Sequence, residues 1–368
     1  MGLDKNRRMA GAQNWLIVTG AGASRNLGVE REMPLMGDWA RALVDALNEV
    51  AVGFGQAVGL RADMAGEEFE EALGRFLAWS RSLPTTRTLL PLGFDNVVGD
   101  DDTQVRRWFD QGEARADRAL VTVHRVLYEL FGQNDVSSVS AREAYGKLLR
   151  LLGSGDQSLL AYATTNYDVA GEVGLDQLGL KPHWGETPSL VHDPVIDPEH
   201  VYDRIGRGTV PVLHLHGRVG WYFDEEGKLL SRDPRAPFSE HLGTPALLLP
   251  DPKKDYAQFT AVESLWRQLE VALGQADRTL VLGHSLNDSE LIRALRTRPT
   301  TQIGVTVLHH EECGHEEAER AAGRVREQLP ECHVIPMSFG PDLLVDEDAL
   351  QAFVDGGSIQ YPRPYGSR

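Results

Sequence analysis

Cysteine is scarce in this sequence. Its 368 residues contain only Cys313 and Cys332, which do not form a Cys-x-x-Cys pair. A structural zinc ribbon needs four paired metal ligands, and a disulfide scaffold needs several cysteines in a short chain. The sequence therefore argues against both and favours a reducing compartment.

Basic residues and long apolar runs are also in short supply. There are 37 lysines and arginines against 54 acidic residues, which gives a net charge of −17. Because an acidic surface repels phosphate backbones, we expect no direct nucleic-acid binding. No apolar run approaches the length of a membrane span, and the first residues lack a signal-peptide pattern, so we expect a cytoplasmic protein without membrane contact.

The most informative stretch is an apolar run that ends in a glycine-rich turn, Trp15 to Gly28. The loop residues are Gly20, Ala21, Gly22, Ala23 and Ser24. Backbone without Cβ atoms at the start of a helix is suited to a phosphate or diphosphate. The loop lacks the third glycine of the dinucleotide fingerprint, and no acidic residue follows where a dehydrogenase holds its ribose. A nucleotide loop and an ordinary strand-to-helix turn both remain open from this stretch alone.

Strands and helices alternate through most of the chain. Apolar runs predict strands over 158–164, 210–217, 278–283, 302–308 and 333–337, and helical periodicity is found over 261–273, 288–295 and 316–329. This alternation predicts an α/β fold with a Rossmann-like, doubly wound parallel sheet. We expect a single domain over 1–368. Residues 224–257, rich in proline and aspartate, predict a long, partly ordered loop.

Strand signals are rare between residues 38 and 152, where amphipathic helices predominate. Leu120, Val123, Leu127 and Leu130, for example, recur at helical spacing. We expect residues 38–152 to form a helical insertion within the domain.

Four predicted strand ends carry polar or glycine-rich groups. They are the loop 20–24, the run from Thr165 to Asp168, His216 with Gly217, and the run from Gly283 to Asp288. Ligands of doubly wound sheets bind beyond the carboxyl ends of the strands, so these groups predict one site.

Each group also has a structural interpretation. Asn166 and Asp168 are ordinary turn residues, and Gly283 to Ser285 suits a simple connection. His216 shares a strand face with His214, so either a metal pair or two buried structural histidines fit the pattern.

Together these motifs resemble sirtuin-like NAD-binding domains, and most closely the bacterial sirtuin-like branch of antiphage defence. The matching motifs are Gly20-Ala-Gly-Ala-Ser24, Thr165-Asn166-Tyr167-Asp168, His216-Gly217 followed by Trp221, Pro250 with Lys253, and Trp266 leading to Gly283, Ser285 and Asp288. Deacylating sirtuins carry four zinc-binding cysteines. This chain lacks them, and so do the members of the defence branch. The resemblance therefore implies an NAD⁺ hydrolase that releases nicotinamide and ADP-ribose.

The resemblance also implies roles for the residues. Asn166 and His216 would be catalytic, His216 as a general base at neutral pH. The backbone of residues 20–24, together with Thr165 and Gly283, would bind NAD⁺. Asp168 would contact the nicotinamide end or orient its loop, and Ser285 and Asp288 would lie near the diphosphate and the adenine-side ribose. No metal is expected.

The resemblance further implies a homo-oligomer or a separate defence partner, such as a DNA-translocating ATPase or a prokaryotic Argonaute. Two other functions fit the same motifs. One is a zinc-free NAD-dependent deacylase or ADP-ribosyl transferase, and the other is a subunit that binds NAD or ADP-ribose without catalysis.

Residues His309 to His315 form a second cluster of metal-ligand residue types. Their spacing fits no regular zinc pattern, so a polar strand-to-helix turn is the simpler interpretation. An alternative interpretation is that His309 or His310 lies beside the adenine ribose.

Overall fold

The computed structural model describes residues 14–24, 27, 36–50, 54–57, 59–64, 68–80, 102–132, 136–152, 158–187, 193–203, 206, 208–239, 243–249, 260–284, 286–297, 302–308, 314–330, 334–339 and 347–355. No helix among these residues is long and apolar enough to cross a membrane.

A seven-stranded parallel sheet forms the centre of the molecule. Its strands are β1 (Asn14–Thr19), β2 (Ser158–Thr164), β3 (Lys181–His183), β6 (Thr209–His214), β10 (Arg278–Leu282), β11 (Gln302–Leu308) and β12 (Val334–Phe339). They lie in the order β12-β11-β10-β1-β2-β6-β3, and every pairing is parallel. Without the edge strand β3 this is the order 3-2-1-4-5-6 of dinucleotide-binding sheets. The predicted α/β fold with a Rossmann-like parallel sheet is confirmed.

Helices cover both faces of this sheet, which explains why its strands are nearly continuous apolar runs. Alternate residues of β1 face opposite sides: Leu16 and Val18 belong to one apolar core, and Trp15 and Ile17 belong to the other. The first core also contains residues of α8 (Thr260–Leu273), α9 (Ser289–Arg296) and α10 (Gly314–Gln328). The second contains residues of α6 (Ser138–Leu152), α7 (Ala170–Gln177) and α11 (Glu347–Val354).

The order of the strands places a crevice at the middle of the sheet. The strands β1 and β10 are neighbours, but the short helix α1 (Ala21–Ser24) after β1 contributes to the second core, whereas α9 after β10 contributes to the first. Such a switch point is where ligands of this fold bind, at the carboxyl ends of the strands.

A second, antiparallel sheet lies in the chain between α7 and α8. It contains β4 (Glu186–Thr187), β5 (Val195–Ile196), β7 (Gly217–Phe223), β8 (Leu229–Ser231) and β9 (Thr244–Leu247), in the order β4-β5-β8-β7-β9. The prediction of a long loop over 224–257 is wrong for β8 and β9. These strands have three and four residues, too short to show a pattern among prolines and aspartates, and only their pairing with neighbouring strands defines them.

Helices account for most of the described residues between α1 and β2. They are α2 (Met36–Val50), α3 (Phe54–Ala57), α4 (68–80), α5 (Asp102–Gly132) and α6. Apolar residues of α2, α4 and α5 form a third core, for example Leu43, Phe69 and Val123, and this core also includes Tyr167 from the loop after β2. The helices therefore contact the predicted site directly. The division into one domain with an insertion over 38–152 stays a prediction.

Candidate functional site

The carboxyl ends of β1, β2, β6 and β10 lead into the four predicted loops. β1 pairs with both β2 and β10, and β2 pairs with β6, so the four loops follow neighbouring strands at one edge. Backbone bonds join the loops: the Thr165 N–H donates to Thr19 O, and the Leu215 N–H donates to Thr164 O. The structure thus brings together the described residues of these loops.

Glycines allow two of these loops to pack backbone against backbone. A Cβ atom at Gly20 would lie 2.8 Å from both Gly283 O and His284 Cα, and one at Gly283 would lie 2.3 Å from Ala23 N. Gly283 also has a φ of +57°, which favours glycine. The sequence suggested that these glycines admit a ligand. The structure shows that the lack of side chains at Gly20 and Gly283 lets these two loops pack closely against each other.

Several amides of the glycine loop already have backbone acceptors. The N–H groups of Gly20 and Gly22 donate to Leu282 O and Gly283 O, at 2.9 and 3.0 Å, and the Ala23 N–H donates to Gly20 O. These three donors stabilise the junction between the loops. A diphosphate at this edge would therefore be held by other groups.

The Asn166 side chain is buried and has one defined orientation. Its Nδ2 donates to Gly20 O at 3.0 Å and to Ser24 Oγ at 2.8 Å. A carbonyl oxygen only accepts, so the contact with Gly20 O places the nitrogen of the amide on that side. Within the described part of the chain, Asn166 Oδ1 accepts no hydrogen bond and is not enclosed. The amide oxygen is therefore left as an acceptor that is not fully enclosed.

Ser24 connects Asn166 to Asp168. The Ser24 hydroxyl accepts from Asn166 and donates to Asp168 Oδ1 at 3.1 Å, and the same oxygen accepts the Ala170 N–H at 2.9 Å. Burial raises the pKa of Asp168, and the bonds from Ala170 and Ser24 act in the opposite direction. Of the two roles that the resemblance allows Asp168, these contacts support orientation of the loop.

His216 has a carboxylate partner on the opposite side of the crevice. Its Nε2 lies 2.9 Å from Asp288 Oδ2, and its ring packs against Trp266 of α8 with 6.1 Å between centroids. Asp288 is also the N-cap of α9, where Oδ1 accepts the N–H groups of Glu290 and Leu291. Asp288 was expected near the adenine-side ribose, and the structure places it against His216.

His214 belongs to a different, fully buried group. Its Nε2 contacts Glu172 Oε1, and its Nδ1 lies 3.4 Å from Asn166 O. Arg218 donates to both oxygens of Glu172, from Nε and Nη2, each at 2.7 Å. Burial raises the pKa of Glu172, but the charge and hydrogen bonds of Arg218, helped by His214, lower it to about 2. Each histidine of the pair considered as a metal site thus has its own carboxylate.

Sequence reasoning missed Glu172 and Arg218. The available signals were weak: an acidic residue in the first turn of the helix after the Asn166 loop, and an arginine directly after the His216-Gly217 motif. Neither position predicts that the two side chains meet. A charge pair of this kind becomes visible only when β2 and β6 are known to be neighbours.

Tyr167 attaches the Asn166 loop to the helices and to the second sheet. Its ring makes an edge contact with Phe131 of α5, with centroids 5.4 Å apart, and its hydroxyl donates to Leu248 O. Its backbone oxygen accepts the N–H of Val219 in β7. The loop that contains Asn166 is therefore held by contacts with α5, with β7 and with Leu248.

A cavity of about 780 Å³ lies beside the charge pair. Glu172 and Arg218 line it, together with Phe131, Val173 and Trp184 among others. None of the predicted site residues that the structure describes is in its lining.

Three predicted features fall outside the described residues. They are Ser285, the motif of Pro250 with Lys253, and the cluster residues 309–313; His315 is within α10, but its side chain is not described. Among the described residues, no group of three or more histidine, cysteine or acidic side chains could hold a metal ion.

Comparisons with known proteins find similarity in structures alone. No protein-family model matches the chain, and no curated protein sequence matches it. A crystal structure of a Sir2 homologue–NAD complex is similar over 94% of this chain and 90% of its own, with 12% identity and a TM-score of 0.38. A Sir2 structure described as bound to a propionylated peptide is similar over 86% and 94%, with 13% identity and a TM-score of 0.35.

A third similar structure concerns the mechanism and regulation of Sir2 enzymes. It covers 87% of this chain and 92% of its own, with 12% identity and a TM-score of 0.36. The structural neighbours thus include Sir2 proteins. With identities near 12% and TM-scores below 0.5, the assignment of a function depends on the residues of this chain.

Proposed function

We propose that this protein hydrolyses NAD⁺ to ADP-ribose and nicotinamide. The observation that carries the proposal is the orientation of Asn166. Its Nδ2 is held by Gly20 O and Ser24 Oγ, which leaves Oδ1 as an acceptor at the edge where the fold binds ligands. His216, on the neighbouring strand end, supplies the second group that the reaction needs.

The reaction breaks the bond between the ribose C1′ and the nicotinamide nitrogen. The electron pair of that bond leaves with nicotinamide, which departs neutral, and positive charge develops on the ribose. A water oxygen then bonds to C1′ and loses one proton. The enzyme must therefore orient the ribose, present an acceptor to the ribose or water, and accept a proton.

Asn166 and His216 fit these tasks. Asn166 Oδ1 would accept a hydrogen bond from a ribose hydroxyl or from the attacking water. His216, whose type of side chain titrates near neutral pH, would take the proton from the water or the ribose. Because both are supported by hydrogen bonds to other loops, they are oriented before substrate binds.

The diphosphate would lie along the junction of the glycine loops. Gly20, Ala21, Gly22, Ala23 and Gly283 would form its floor by their lack of bulky side chains. Three amides there donate to backbone oxygens, and the Thr165 hydroxyl lies 3.4 Å from Thr19 O. We propose the hydroxyls of Thr165 and Ser285 for direct contact on the basis of the motif resemblance. Asp168 would act through Ser24 on Asn166.

The biological role rests on the resemblance of the motifs to the defence branch of sirtuin-like proteins. On that basis we propose a bacterial antiphage effector that depletes NAD⁺, works in the cytoplasm, and is controlled by self-assembly or by a partner such as a DNA-translocating ATPase or an Argonaute protein. We propose no metal, no membrane and no direct nucleic-acid contact for the reaction.

The test is release of nicotinamide and ADP-ribose from NAD⁺ by the purified protein. Asn166→Ala and His216→Ala should each reduce release by at least about 10²-fold, in the range for loss of a general base, while thermal unfolding shows that both variants fold. His200→Ala is the matched control, since His200 is exposed and pairs with Asp203, which is not among the predicted site residues.

Other outcomes separate the alternatives. Removal of an acyl group from lysine peptides, with consumption of NAD⁺, would establish a deacylase, and labelling of a protein by ADP-ribose would establish a transferase. NAD⁺ binding without turnover, together with an undiminished NAD⁺ pool in phage-infected cells that express the protein, would contradict hydrolysis and favour a binding subunit.

A further inference from the structure

Asp288 is bonded on both of its carboxylate oxygens. Oδ1 accepts the N–H groups of Glu290 and Leu291, at 2.9 and 3.2 Å, as the N-cap of α9. Oδ2 lies 2.9 Å from His216 Nε2. The helix terminus thus fixes the carboxylate, and the carboxylate in turn fixes the imidazole ring.

From this geometry we infer that Asp288 is a positioning residue that sets the tautomer of His216, and that Nδ1 of His216 is the nitrogen that accepts the proton in the proposed reaction. The inference rests on the proposed function. It differs from what the motif resemblance implies, which places Asp288 near the adenine-side ribose.

The tautomer follows from the hydrogen-bonding capacity of the two groups. A carboxylate only accepts hydrogen bonds, so the contact with Oδ2 requires the proton of neutral His216 on Nε2. The lone pair is then on Nδ1. A base whose second nitrogen donates to a carboxylate is the arrangement used in catalytic triads, where the acid orients the ring and stabilises the imidazolium that forms.

The surroundings of the ring restrict its rotation. Trp266 packs against one side of it at a tilt of 42°, and both Asp288 and His216 are largely buried, with side-chain exposures of 5% and 12%. A buried pair with few alternative rotamers loses little entropy when it takes up the proton. This is how a carboxylate on a helix terminus can act on a reaction it does not touch.

The decisive variant is Asp288→Asn. Asparagine is as good an N-cap as aspartate, so α9 should remain intact. Its side-chain nitrogen can donate to His216 Nε2, which moves the ring proton to Nδ1 and removes the base. We expect kcat for NAD⁺ hydrolysis to fall by about 10²–10⁴-fold, with KM for NAD⁺ changed less than threefold.

Asp197→Asn is the matched control. Asp197 is also an N-cap, accepting the Glu199 N–H at 3.0 Å at the 3₁₀ turn Pro198–His200, and its side chain is exposed. This variant should leave kcat and KM unchanged. An increase in KM with little change in kcat for Asp288→Asn would instead indicate direct contact with the substrate and would overturn the inference.

A spectroscopic measurement tests the tautomer without using activity. The ring nitrogens of ¹⁵N-histidine-labelled protein report which nitrogen carries the proton, and a His216→Ala spectrum identifies its signals among the 12 histidines. We expect the Nε2–H form in the native protein and the Nδ1–H form in Asp288→Asn. An Nδ1–H form in the native protein would refute the inference. Absence of NAD⁺ hydrolysis both by the purified protein and in phage-infected cells, with the Nε2–H form present, would refute the proposed function and leave the pairing intact.

Discussion

The side-chain nitrogen of Asn166 donates to the hydroxyl oxygen of Ser24 at 2.8 Å, and that hydroxyl donates in turn to Asp168. The donor and acceptor of each of these two hydrogen bonds determine how Asn166 is oriented. Because Ser24 uses its single proton on the carboxylate, it presents only an acceptor to Asn166. The orientation of the proposed catalytic amide is therefore determined by residues from two different loops.

Replacement of Ser24 should lower activity more than it lowers stability. Ser24→Ala leaves Asn166 Nδ2 with Gly20 O alone, so the amide loses one of its two restraints. We expect kcat to fall about tenfold, which corresponds to one hydrogen bond of about 1.4 kcal/mol. Steady-state NAD⁺ hydrolysis measures this.

Ser140→Ala is the control for Ser24→Ala. Ser140 also bonds a side-chain oxygen, Ser137 Oγ at 2.9 Å, but lies at the start of α6. It should have native kcat. Equal activity of Ser24→Ala and the native protein would show that the hydrogen bonds through Ser24 do not orient Asn166.

Asp168→Asn should keep or increase stability at neutral pH. Burial is the main cause that raises the pKa of Asp168, so its ionised form costs free energy in the folded state. The stability that Asp168 contributes is fully present below its unfolded pKa near 3.8 and is lost as pH rises through the higher folded value. Asparagine retains an acceptor for Ser24 and Ala170 without the charge.

The measurement is the melting temperature of both proteins from pH 3 to pH 8. We expect Asp168→Asn to melt at the same or a higher temperature at pH 7, with the gain vanishing at pH 3. A variant that is less stable at pH 7 than at pH 3, relative to the native protein, would show that the carboxylate stabilises the fold.

Gly283→Ala should be much more destabilising than Gly59→Ala. Both positions have positive φ, +57° and +83°, so alanine is strained at each by about 1–2 kcal/mol. At Gly59 a Cβ atom has nothing within 4 Å, whereas at Gly283 it meets Ala23 N at 2.3 Å. Overpacking adds about 1–3 kcal/mol, so urea unfolding should separate the variants by that amount. Equal losses would mean that the two loops do not require close approach.

Much of the sheet follows from the sequence because its strands are buried on both faces. The predicted strands 158–164 and 302–308 have the observed bounds, and the predicted helix 261–273 differs from α8 by one residue. Long apolar runs and long periodic segments carry such signals by themselves. The order of the strands brings the four loops together at one edge of the sheet, and their function as one site stays a prediction.

The remaining features depend on contacts that are distant in sequence. β8 and β9 exist through pairing with β7, and no local pattern marks them. The partners of His216 and His214, namely Asp288 and Glu172, are 72 and 42 residues away. Sequence identified the two histidines as candidates, but only the folded structure shows that Glu172 of α7 contacts His214 and that Asp288 at the start of α9 contacts His216.

Loss of the Glu172 carboxylate should destabilise the fold strongly. Glu172→Gln leaves the buried Arg218 guanidinium without its counter-charge, and such a break typically costs about 3–5 kcal/mol. Glu226→Gln is the control, because Glu226 pairs with Lys228 on the surface with 71% of its side chain exposed, where solvent screens an ion pair and its loss changes stability little. Urea unfolding at pH 7 measures both, and similar losses would show that the buried pair has no special weight.

The same carboxylate should determine part of the acid unfolding. Its folded pKa of about 2 lies below the unfolded value of 4.5, so the unfolded state binds the proton more readily between these values. The stability it contributes is present above pH 4.5 and is lost as pH falls towards 2. We therefore expect the difference in unfolding free energy between the native protein and Glu172→Gln to be constant from pH 7 to about 5 and to shrink below pH 4.5. If this difference in unfolding free energy persists at pH 2.5, Arg218 does not hold Glu172 ionised. The buried group of Glu172, Arg218 and His214 would then be stabilised by packing and not by charge.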